Sequence, residues 1–159
     1  MSAHRLFRLP VAVVAVAALM AAAGCSSTDA RASVTVPSPT AEEAALCRAL
    51  HEELPETVAG LGRSGTEPRS DLTAAWGDGA IVLRCGVPRP ARMSDPQAEA
   101  VEADGVGWLL ERRAGDGPRF TTTLRKAYVE VSLGERFAHD ATPLVAFAAA
   151  VRGAVPPSL

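Results

Sequence analysis

The chemistry this sequence can offer concentrates in three cysteines, Cys25, Cys47 and Cys85. Cys47 and His51 stand four residues apart, on one side of any helix that carries them. Cys85 would add a third thiophilic ligand, but a closed metal site needs a fourth, and His139 lies far away in sequence. No metal and no cofactor are therefore expected. In an exported chain, Cys47 and Cys85 are expected to pair as a disulfide, with free or intermolecular thiols as the other reading. Bridging them closes a loop of nearly forty residues, worth about 4 kcal/mol in the chain-entropy account.

Other chemically capable residues do not assemble into a set. Ser64 lies in Gly62-Arg63-Ser64-Gly65, without the strand-turn-helix setting of a nucleophile elbow. His139-Asp140 immediately precedes a helix start, where Asp140 is better employed against the helix dipole. No nucleophile, base and orienting group can be lined up, so no catalytic residue is assigned. Asp95, Glu99, Glu102 and Asp104 lack calcium-loop spacing and read as a solvated loop. Arg84, Arg89 and Arg92 surround the end of the Cys85 strand and are candidates for receiving an anionic group, or simply exposed charges. Trp76 and Trp108 are candidates for lining a ligand groove, against the default of core packing.

Arg5 and Arg8 precede an apolar run from Val11 to Ala23, with no acid before Cys25, and Ser26-Ser27-Thr28-Asp29 follows. That is the plan of an export signal, and the run is too short to span a bilayer, which takes about 20 apolar residues. Ala22-Ala23-Gly24-Cys25 resembles the lipobox of bacterial lipoproteins. The resemblance implies diacylglycerol on Cys25, removal of residues 1–24, and stable attachment through more than one acyl chain. Losing Arg5 and Arg8 takes the formal charge from −2 to −4, which disfavours nucleic acid and a polybasic grip on lipid headgroups.

These residues must be positioned by few elements. Residues 25–38 are rich in Ser, Thr, Ala and Pro and read as a lipid-anchored flexible tether, with residues 39–159 as a single domain. Thr40 with Glu43 makes a capping box, and the helix it starts should run to Leu54, before Pro55, with Cys47, Leu50 and Leu54 on one face. Asp78-Gly79 supplies a hairpin turn. Beyond it Ile81, Leu83, Cys85 and Val87 share one face of a strand. Val58–Arg63, Val106–Arg112, Phe120–Leu124 and Tyr128–Leu133 are further strands, and residues 90–104 a polar loop. The alternation changes phase at Arg125-Lys126, through either a bulge or a turn. Thr142-Pro143 caps a second helix with Leu144, Phe147, Ala148, Val151 and Val155 on its apolar stripe. The expected fold is α+β: an antiparallel sheet of about five strands, an N-terminal and a C-terminal helix packed on it, and a helix-to-hairpin disulfide.

Leu46-Cys47-Arg48-Ala49-Leu50, Trp76-Gly77, Ile81–Pro88 and Phe120–Thr123 together resemble a family of actinobacterial secreted lipoproteins, the domain of unknown function thirty-five fifteen. The resemblance implies an envelope lipoprotein with paired cysteines and brings no activity, cofactor or catalytic residue. The expectation is a non-catalytic binding or interaction module, membrane-bound through Cys25 on the outer face of the cytoplasmic membrane, with an envelope protein or cell-wall ligand as partner. An envelope hydrolase or transferase, or a structural and assembly accessory, are the alternatives.

Overall fold

The computed structural model describes residues 31–158; Cys25, the signal and the first part of the tether lie outside the described residues. The first helix, α1 (Ala41–Glu53), begins on the expected capping box. The Thr40 amide donates to Glu43 Oε2 at 2.9 Å, and the Glu43 amide donates back to Thr40 Oγ1 at 3.3 Å. Its buried side chains are Cys47 and Leu50, with Leu54 buried just beyond the last turn. The C-terminal helix α2 (Val145–Ala154) buries Phe147, Ala148 and Val151, and Leu144 and Val155 flank it in the core. Its start differs from expectation: Thr142–Leu144 is a tight 3-10 turn, and Asp140 Oδ1 accepts from the Thr142 amide at 2.9 Å and from its hydroxyl at 2.6 Å. Thr142 makes no capping bond; Asp140 closes a tight turn just ahead of the helix, and these bonds hold its carboxyl below the ordinary range.

Ten strands are present among the described residues. They are β1 (Ala32–Ser33), β2 (Thr57–Val58), β3 (Leu61–Ser64), β4 (Thr66–Glu67), β5 (Thr73–Trp76), β6 (Ile81–Cys85), β7 (Glu99–Ala103), β8 (Val106–Glu111), β9 (Arg119–Thr122) and β10 (Val129–Leu133). Eight of them form one antiparallel sheet in the order β2-β3-β5-β6-β10-β9-β8-β7, not the five expected. One added strand is β5, the arm that leads into the Asp78-Gly79 hairpin, and two tight turns supply the others. Ala59 and Gly60, at φ 50° and 76°, fold Val58–Arg63 into a tight hairpin where a single strand was expected. Asp104-Gly105, at φ 45° and 76°, likewise turns the supposed loop into β7, paired with β8. β7 lies at the sheet edge with most side chains in solvent, so its apolar alternation is faint. At Arg125-Lys126 the chain turns: β9 and β10 are antiparallel neighbours, and Leu124 takes φ 53° with 74% of its surface exposed.

Both helices cover one face of the sheet. Trp76, Ile81, Leu83, Cys85, Trp108, Phe120, Val131 and Leu133 meet α1 and α2 there in one continuous core. Cys47 on α1 and Cys85 at the end of β6 are disulfide-bonded, with their Cα atoms 5.5 Å apart. On the opposite face, the chain that the sequence reads as the end of a tether lies against the sheet. β1 pairs in parallel with β4, the Val34 amide donates to the Glu67 carbonyl at 3.0 Å, and Arg84 Nη1 donates to the Thr35 carbonyl at 3.1 Å. Val34 is buried, as are Thr66, Thr73 and Ala75. One valine in a serine- and proline-rich stretch is too sparse a signal to announce this in sequence.

Candidate functional site

The candidate site lies at the β3 end of the sheet. β2 pairs with Leu61 and Gly62, the Arg63 amide donates to the Glu56 carbonyl at 2.8 Å, and Ser64 continues past that segment along an edge. Two cavities meet at that edge and share Arg63, Ser64, Gly65 and Arg69. The one beside α1, about 480 Å³, is also lined by His51, Glu52, Glu56 and Asp71. The other, about 490 Å³, adds Arg31 and Asp78.

Arg63 organises the first cavity. It faces α1, and Nη2 donates to the His51 carbonyl at 3.2 Å while Nη1 reaches the Leu54 carbonyl at 3.4 Å. Those carbonyls belong to the unpaired C-terminal turn of α1, where a cation is favoured. Nη2 also lies 3.0 Å from His51 Nε2. A guanidinium only donates, so Nε2 accepts and the imidazole proton sits on Nδ1. Burial first, and then the charge of Arg63, push His51 below the ordinary imidazole value, with Asp71 and Glu52 opposing. His51 is therefore neutral, and its one basic lone pair is occupied. Among the described residues, His51 Nδ1 and Ser64 Oγ are buried without hydrogen-bond partners. The arrangement sets donors, a neutral imidazole N–H, the Ser64 hydroxyl and the guanidinium of Arg69, beside the carboxylates of Glu52, Glu56 and Asp71.

The residues singled out from sequence are not gathered here. Arg84 lies on the uncovered face and forks onto Glu130, Nε to Oε1 at 3.0 Å and Nη2 to Oε2 at 3.3 Å. Glu130 is only 7% exposed and also sits 3.6 Å from Arg119, so Arg84 is spent on neutralising a buried carboxylate. Arg89 donates to Ser94 Oγ at 2.8 Å, and Arg92 lies 3.5 Å from Asp95, both within their own loop. The three arginines form no common anion site. Trp76 and Trp108 are fully buried and line no groove. Trp76 donates to the Pro55 carbonyl at 2.9 Å and stands edge-on to Phe147 with ring centroids 5.0 Å apart, so core packing takes both indoles. His139 lines a separate small cavity with Arg112, Phe120 and Asp140. Among the described residues no cluster of three or more His, Cys, Asp or Glu could hold a metal, and no helix is long and apolar enough to cross a membrane.

Sequence reasoning missed the His51–Arg63 pair. The one signal was a basic residue shortly after a helix C-terminus, and the intervening hairpin that folds it back carried no apolar pattern. Fold and site together define a disulfide-stapled α+β domain with a polar cleft of mixed charge at one sheet edge. The chain belongs to the family of proteins of unknown function DUF3515, whose model matches residues 9–158. No curated protein and no solved structure matches it.

Proposed function

We propose that this chain is an exported lipoprotein, anchored through acyl chains on Cys25, whose domain is a non-catalytic binding module on the outer face of the cytoplasmic membrane. The observation that carries the reading is the occupied lone pair of His51: the residue best placed to act as a base in the cleft accepts from Arg63 instead. Around it the unpartnered His51 Nδ1 and Ser64 Oγ stand beside the carboxylates of Glu52, Glu56 and Asp71, which suits holding a polar ligand that offers both donors and acceptors. The buried Cys47–Cys85 disulfide supports an oxidising compartment, and the signal-like residues 1–24 supply the route to it. An envelope protein or a wall component is the partner this reading expects.

Two experiments test it. Metabolic labelling with a fatty-acid analogue should mark the wild-type chain and not Cys25→Ala; label persisting on the variant would remove the anchor. Crosslinking on intact cells should recover a specific partner that an Arg69→Glu change at the cleft reduces. Recovery unaffected by the cleft would overturn the module's proposed binding edge.

A further inference from the structure

The second cavity at the β3 edge differs from the first in charge. Three arginines, Arg31, Arg63 and Arg69, line it against one acid, Asp78. The guanidinium of Arg63 is engaged with α1, which leaves Arg31 and Arg69. Arg69 makes no ion pair or hydrogen bond among the described residues. Arg31 meets Glu67 only at 3.8 Å, with both side chains exposed, an ion pair that contributes little. The Arg31 side chain lies across Gly65, 3.5 Å from where a Cβ would stand, so bare backbone there gives it its path into the cavity. Ser64 Oγ, buried and unpartnered, lines the same wall.

The position of this corner adds the second argument. Arg31 is six residues after Cys25, and six residues fully extended span at most about 20 Å. β1 then fixes the following chain to β4, so the slack cannot be drawn from further along. A chain acylated at Cys25 therefore holds the Arg31 corner within about 20 Å of the headgroup layer. The mature charge of −4 provides no diffuse attraction to that layer, so contact there must be local.

We propose that the cavity between Arg31 and Arg69 receives a phosphate group, supplied by the headgroup of a membrane phospholipid. Two guanidinium forks donate paired N–H groups to phosphate oxygens, the geometry for which arginine is suited. The membrane source rests on the lipoprotein reading above; the phosphate chemistry rests on the cavity alone.

The test uses the full protein as purified from membranes in a maltoside detergent, which contains no phosphate. Reconstituted into phosphatidylglycerol vesicles, its backbone amides at residues 62–70 and 77–79 should exchange several-fold more slowly than in vesicles of a phosphate-free galactolipid. Arg69→Gln and Arg31→Gln, both at exposed positions, should erase that difference while the far edge at residues 99–111 exchanges as in the wild type. In detergent, inorganic phosphate should protect the same amides, with affinity lowered about tenfold by Arg69→Gln. Equal exchange in both vesicles and no effect of phosphate would overturn the pocket. Protection by inorganic phosphate without a difference between vesicles would overturn the membrane source. A Cys25 without acyl mass would overturn the anchor and, with it, the membrane source, while protection by phosphate would leave the pocket standing.

Discussion

Gly86 shows how much one residue carries in this chain. It follows Cys85 at φ 85°, a conformation that costs any L side chain, and a Cβ there would lie 2.6 Å from Cβ of Pro39. Pro39 is the last turn of chain before the Thr40 cap, so Gly86 admits the segment that passes from the uncovered face of the sheet to α1. Gly86→Ala should destabilise the domain by about 2 kcal/mol or more, read from the urea midpoint at unchanged slope. His51 gives a prediction in pH. Its folded pKa lies below the ordinary value of 6.5, so below that value the unfolded chain binds more protons than the folded one. This contribution is present above 6.5 and is lost as pH falls through the folded pKa. The stability of His51→Gln should therefore decline less steeply on acidification than that of the wild type. A parallel decline for the two would show that the imbalance lies elsewhere.

At the scale of elements, Arg63 ties β3 to the end of α1, replacing the glycine or distant cation that commonly closes a helix. Arg63→Ala should cost about 1–3 kcal/mol, and Arg63→Lys should recover only part, since an ammonium cannot span His51 and Leu54 carbonyls as a fork does. Amide exchange in the last turn of α1 would localise the loss. Elements were legible where packing and local rules agree. The capping box of α1, the β6 alternation and the stripe of α2 each combine a local signal with a buried face, and all three stand close to where the sequence puts them. β2 and β7 were illegible because both are short edge strands whose existence depends on a positive-φ turn at Ala59-Gly60 or Asp104-Gly105, with little apolar burial to betray it. The cleft was illegible for a related reason: His51, Arg63 and Arg69 meet through that hairpin, not through spacing along the chain.

At the scale of the whole molecule, the fold depends on the compartment in which it is made. Its core is filled mainly by Ala, Val and Leu, with two tryptophans and three phenylalanines as the large buried rings. The covalent link between α1 and β6 joins the helical layer to the middle of the sheet, and it spans 38 residues of chain. By the chain-entropy account that constraint is worth about 4 kcal/mol, a large share of the net stability of a domain this size. The full chain purified from membranes should show no free thiol at Cys47 or Cys85 when titrated under denaturing, non-reducing conditions. Adding reductant should lower its resistance to urea by about that amount. Cys47→Ala/Cys85→Ala should show the lowered stability without reductant and no further loss with it. If the wild type kept its full stability after reduction, the helical layer would be held by packing alone, and the disulfide would carry no information about where the protein must fold.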